Sequence, residues 1–324
     1  MATLVKRATW HSTWRSVLAW FDNSALDAPA NSSFRTVNWL RTIPFIGMHL
    51  ACLAVIWVGW SPVAVGTAVA LYLVRMFAIT GFYHRYFSHR SFKTSRSIQF
   101  IFALIGASSV QRGPIWWAAH HRHHHATTEM EDDPHSPVHH GLWWSHTGWF
   151  LSNEHFQVQE KRIRDLNRYP ELRFLDRFDI VIPAALAVIL LLAGNVLETR
   201  APDLGTSGGQ MLVWGFFIST VALYHGTFTI NSLAHRFGKR RYATNDNSRN
   251  NFWLALLTLG EGWHNNHHHY PVSVRQGFYW WEIDLTYYGL RAMSALGLVW
   301  DLKPVPVERR ESNRVQPSGN RVFK

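Results

Sequence analysis

Apolar residues along this chain gather in four long blocks, at about 43–60, 64–83, 179–197 and 211–231, and thin out between them. Each block is long enough to cross a hydrocarbon core as a helix, which takes about 20 residues. The pattern predicts an all-α integral membrane protein with four transmembrane helices. Ser61-Pro62 turns the first block into the second, and the polar stretch 198–210 joins the other two. Two further apolar runs, 98–110 and Phe252–Gly260, are too short to span. They are expected to lie at the interface or against a polar cap.

Charge sets the expected orientation. Lys6, Arg7, Arg15, Arg35 and Arg41 precede the first block, whereas 198–210 offers only Arg200. The positive-inside rule then places both termini and the 84–178 region in the cytosol. Residues 1–42 lack the charged start, apolar core and small-residue site of a cleaved signal peptide. Three parts follow: a cytosolic N-terminal segment (1–42), a membrane domain with a helical cytosolic cap (43–302), and a mobile basic tail (303–324).

The net charge of +11 is scattered and carries no nucleic-acid motif, so anionic lipid headgroups are the expected counterpart. The one cysteine, Cys52, excludes an intramolecular disulfide and a thiolate metal site.

Histidine carries the candidate chemistry. His121, His124 and His125 repeat at i, i+3, i+4 and share a helical face, and His264, His267 and His268 repeat that spacing. His84 and His89 are five apart, an offset that no α-helical face shares, so the second span is expected to fray or turn after Tyr83. Asn231 and His235 stand at i, i+4 where the fourth span ends. Imidazole is the commonest side-chain metal ligand, and all four groups fall on the same expected side. His123 and His269 leave the pattern and are assigned to support or surface. His120, His135, His139, His140, His146 and His155 are read as ordinary solvated or hydrogen-bonding histidines. Arg75, inside the second span, requires a polar partner that the sequence does not name.

These motifs, His84–His89, His121–His125 and His264–His268, resemble the histidine boxes of the integral-membrane fatty-acid desaturases, and among them the acyl-CoA Δ9 type. The likeness extends to Asn231–His235, Asp133-Pro134-His135, Trp144–Trp149 and Glu261–His264. It implies a non-haem di-iron centre with nine ligands: His84, His89, His121, His124, His125, His235, His264, His267 and His268. Asn231 would hold a metal-bound water. The implied reaction is O2-dependent cis-desaturation of a saturated acyl chain in an apolar tunnel, for which Tyr72, Trp117 and Trp149 are the candidate lining.

Tyr72 lies about 18 Å along a helix from His84, where it would close the tunnel's far end. No flavin or nicotinamide fingerprint is present, so electrons are expected from a ferredoxin or cytochrome b5 type donor with its reductase. The family's cationic pairs for CoA are replaced here by Ala119 and His120, and by Asn153 and Glu154. That leaves Arg122, Lys161 or Arg162 for CoA, or else a lipid-linked acyl chain. A di-iron hydroxylase would share the boxes, and a membrane zinc hydrolase is the reading from another reaction class.

Overall fold

The computed structural model describes residues 14–25, 36–158 and 160–315. Lys6, Arg7, Arg35 and the tail beyond residue 315 lie outside them. Four helices are long and apolar enough to cross a membrane: α1 (Trp39–Val58), α2 (Pro62–Ser88), α6 (Val181–Arg200) and α7 (Gly208–His235). Between and after them come α3 (Arg96–Ala107), α4 (Pro114–Thr127), α5 (Pro170–Arg177), α8 (Phe252–Leu257), α9 (His264–His269), α10 (Leu285–Ala295) and α11 (Val307–Glu311). Among the described residues the fold is thus all-α, with one two-residue ribbon of β1 (Lys93–Thr94) antiparallel to β2 (Val299–Trp300).

Local signals set the span ends. Asn38 caps α1 by accepting from Arg41 N, and Gly59 ends it in the left-handed region. Ser61 caps α2 by accepting from Ala64 N, and Pro62 takes the first helical position. Ile43, Leu50, Ile56, Val188 and Leu192 stay exposed along α1 and α6, as a lipid-facing surface requires.

Two spans outrun their hydropathy. α2 does not stop or fray after Tyr83; it continues to Ser88 as a wide π-helix from Ala78. The polar residues that end the apolar block are satisfied by the cap instead of by water. Arg85 donates to Val274 O (2.8 Å), Asp284 Oδ2 (3.1 Å) and Glu261 Oε1 (2.9 Å). α7 likewise reaches His235 through a last 3-10 turn. Arg75 finds neutral partners within the bundle. It donates to Ser108 O (3.2 Å), Thr220 Oγ1 (2.7 Å) and Ser219 Oγ (2.5 Å).

The cap core forms around the π-helical stretch. Phe82, Tyr83 and Phe87 are buried against residues of α3, α4, α5 and α10, with Phe82 stacked on Phe102 at 3.9 Å. α3 is therefore a cap helix and not a fifth span. Residues 303–315, expected as the start of a mobile tail, instead lie on the cap. Lys303 N donates to Ser91 O (2.9 Å), and Tyr242 OH donates to Arg310 O (2.8 Å). Backbone pairing and a buried tyrosine outweigh the charge of this segment.

Candidate metal centre

The π-helix explains the five-residue offset of His84 and His89. An i→i+5 turn is wider than an α turn, and His89 N donates to His84 O at 3.2 Å across it. Both rings therefore meet, with centroids 4.9 Å apart. α4 supplies His121, His124 and His125, α7 supplies His235, and α9 supplies His264, His267 and His268.

These nine histidines fall into two adjacent groups. His84, His89, His121, His125 and His267 form one, and His124, His235, His264 and His268 the other. Within each, the candidate ligand atoms all lie within 4.8 Å of one another. The shared helical face read from the sequence is split: on α4, His121 and His125 turn to one group and His124 to the other. On α9, His264 and His268 share one group and His267 joins the other. The groups touch where the His125 and His268 rings approach to 4.7 Å between centroids.

Carboxylates hold the rings from behind. His124 Nδ1 donates to Asp133 Oδ1 (3.0 Å), His268 Nδ1 to Asp246 Oδ2 (2.7 Å), and His235 Nδ1 to Glu129 Oε1 (3.2 Å). His84 Nδ1 faces Glu261 Oε2 in the same way. A carboxylate only accepts, so each of these rings carries its hydrogen on Nδ1 and turns the Nε2 lone pair inward. Burial opposes the charge on Asp133 and Asp246, but the facing His124, His135 and His268 hold both carboxyls well below the usual range. Burial, then the neighbouring imidazoles, pushes His89, His121, His125, His264 and His267 well below their ordinary value. Neutral imidazole is the form that binds a cation.

The donor set suits metal ions. His124 Nε2 and His268 Nε2 are buried and have no hydrogen-bond partner among the described residues. In the five-histidine group, Nε2 atoms converge in pairs at 2.8–3.1 Å, from His89 to His121 and from His84 to His267. Lone pairs so close repel unless a cation lies among them. Nitrogen donors without thiolate suit iron, zinc, copper or nickel.

One cavity of about 450 Å³ reaches both groups, touching His84 and His121 of one and His124, His264 and Asn231 beside the other. Its lining is largely apolar, with Met48, Met76, Ile79, Ala187 and Phe216, and includes Gln111, whose side chain donates to Thr227 Oγ1 at 2.9 Å. Trp117 and Trp149 both line it. Tyr72 does not: it donates to Leu257 O at 2.7 Å and packs against Met76, which does line the cavity.

Three histidines read as ordinary are built into the site. His120, His135 and His155 are buried, and His120 and His135 line the cavity. Glu129 and Asp246 were not singled out by sequence, since lone acids in polar loops carry no spacing signal. Arg122 is committed elsewhere, pairing with Asp165 and donating to Phe87 O and Ser88 O. Those bonds remove it from the candidates for a CoA phosphate.

Residues 58–301 match the sequence model of the fatty acid desaturase family. The chain is 38% identical to the sn-1 stearoyl-lipid 9-desaturase of Anabaena variabilis over 277 residues, 85% of this chain and 97% of that one. It is 38% identical to the chloroplastic palmitoyl-monogalactosyldiacylglycerol delta-7 desaturase of Arabidopsis thaliana over 263 residues, 80% of this chain and 67% of that one. An acyl-CoA 5-desaturase of Anemone leveillei is 34% identical over 303 residues, 88% of each chain.

Proposed function

The chain belongs to the fatty acid desaturase family, a family of oxidoreductases, and from that premise we propose that it inserts a cis double bond, at Δ9, into a saturated acyl chain. The proposed centre is di-iron, with His84, His89, His121, His125 and His267 about one iron and His124, His235, His264 and His268 about the other. Asn231, which lines the same cavity, would hold a water beside the second group. The observation that carries this reading is one largely apolar cavity onto which both histidine groups open.

Iron, when bound, supplies the dioxygen-dependent oxidation of an unactivated methylene pair, which no side chain performs. The chain's own residues do the rest. Met48, Met76, Ile79 and Phe216 take the acyl methylenes out of water, at ~0.8 kcal/mol each. Gln111 and Thr227, joined side chain to side chain in the cavity wall, help to position the acyl chain past the histidines. Asp133, Asp246, Glu129 and Glu261 fix ring orientation, so the centre needs little reorganisation.

The reaction consumes O2, two electrons and two protons and releases two waters, so an external one-electron carrier is required. We place the carrier, of ferredoxin or cytochrome b5 type, on the basic cap surface near Lys239 and Arg309. Both termini and the centre are assigned to the cytosolic side by the distribution of Lys and Arg.

Expression in a host lacking the activity, followed by gas chromatography–mass spectrometry of total fatty acids, tests this reading. A new cis-monoene that needs O2 and disappears in His124→Ala is expected. A hydroxy fatty acid, or a product formed without O2, would contradict it.

A further inference from the structure

The cavity lining is largely apolar, but one part of it is charged. There it is lined by Trp20, Arg41, Arg112, Phe156 and Asp179. Arg41 lies in the first turn of α1, and Asp179 stands just before α6. Both therefore sit where membrane spans emerge, at the level of lipid headgroups.

Two guanidinium groups converge on one neutral atom there. Arg41 Nη2 donates to Asn23 Oδ1 at 3.2 Å and Arg112 Nη1 to the same oxygen at 2.8 Å. Arg41 Nη1 is buried with no hydrogen-bond partner among the described residues. The counter-charge is thin. Asp179 Oδ2 stands 3.5 Å from Arg112 Nη1, while Asp22 is engaged by both Nε and Nη2 of Arg177. Burial pushes the nearby Asp176 carboxyl up to about 7, so it is only partly charged at neutral pH. Aromatic rings hold the two planes in place, with Arg41 4.0 Å above Phe156 and Arg112 5.1 Å from the same ring.

We propose that Arg41 and Arg112 form a phosphate subsite at the cavity mouth, which binds the headgroup phosphate of the acyl carrier. The inference rests on reading the cavity as the acyl site. Arg41 Nη2 also donates to Ala19 O at 3.3 Å. Arg41 Nη1 stays unpaired among the described residues and the acceptor shared by the two cations is neutral, whereas a phosphate offers several charged acceptors to both. In a glycerophospholipid the phosphate is a glycerol away from the acyl ester, so chain and phosphate can reach the apolar and the charged parts of one cavity together. In acyl-CoA the pantetheine arm intervenes between thioester and phosphate. The phospholipid is therefore the expected source.

Native mass spectrometry of the purified full-length protein in detergent tests this without needing turnover. The probes are 1-stearoyl-lysophosphatidylglycerol, monogalactosyl stearoylglycerol and stearoyl-CoA. Wild-type protein should hold the phosphatidyl probe about 10-fold or more tighter than the galactosyl probe. That ratio should fall toward one in Arg41→Gln/Arg112→Gln and be largely kept in Arg41→Lys/Arg112→Lys, which a merely structural pair would not do. If the double variant does not fold, Arg112→Gln alone should show the same direction. A stearoyl-CoA preference with the same arginine dependence also supports the subsite, and assigns its phosphate to the nucleotide. No preference in the wild type, or a preference that survives the glutamine variants, overturns the proposal. Absence of any monoene in the host assay sinks the desaturase reading without altering these ratios.

Discussion

His124 Nδ1 lies 3.0 Å from Asp133 Oδ1, with both side chains buried, and the same carboxylate accepts from Glu129 N at 2.9 Å through its other oxygen. Asp133 thus ties a candidate ligand to the turn that also carries Glu129, the support of His235. Asp133→Asn removes the charge while keeping the shape. It should lower metal affinity about 10–100-fold, measured by competition with a chelator. Unchanged metal retention would show that the pair is structural only.

Arg75 is an intramembrane arginine without a carboxylate partner among the described residues, held by three neutral groups from α7 and the end of α3. Arg75→Leu leaves those groups partly unsatisfied and unties α2 from its neighbours. A destabilisation of about 1–3 kcal/mol is expected, read as a lower melting temperature in detergent. A melting temperature equal to wild type would contradict this.

Met76, fully buried, lines the cavity, whereas Tyr72 packs against Met76 and does not line it. Met76→Trp should move the product profile toward shorter chains. Tyr72→Ala should move it far less. The reverse order would return the tunnel end to Tyr72.

The buried histidines give a signed pH dependence. Burial pushes His155 down to about 4, and His120, His135 and the five ligand candidates named above go well below their ordinary value for the same first cause. Unfolded histidine titrates near ~6.5, so the fold prefers the neutral rings. Their stability contribution is fully present above that value and is lost as pH falls toward about 4. The metal-stripped protein should melt at a constant temperature above about pH 7 and progressively lower below it. A melting temperature that rises on acidification would contradict the burial of neutral imidazoles.

Much of this was legible in the chain. Four apolar blocks mark four spans, and the i, i+3, i+4 spacing marks the side chains of α4 and α9 that the fold gathers into the two histidine groups. The ends of α2 and α7 were not legible, because hydropathy stops at His84 and at Ser232, whereas the cap satisfies the polar groups beyond. Nor was the division of each box between two groups, since a shared helical face does not say which neighbour each ring meets. Arg75 pairs with hydroxyls and a carbonyl, which leave no charge pattern to find. The docking of 303–315 depends on Tyr242, some 70 residues earlier in the chain.

Metal stoichiometry tests the centre most directly. Protein purified without added chelator and analysed by inductively coupled plasma mass spectrometry should contain two irons per chain. His268→Ala and His267→Ala, which remove one candidate ligand from each group, should each lower that content. One zinc and no iron per chain would contradict a di-iron centre.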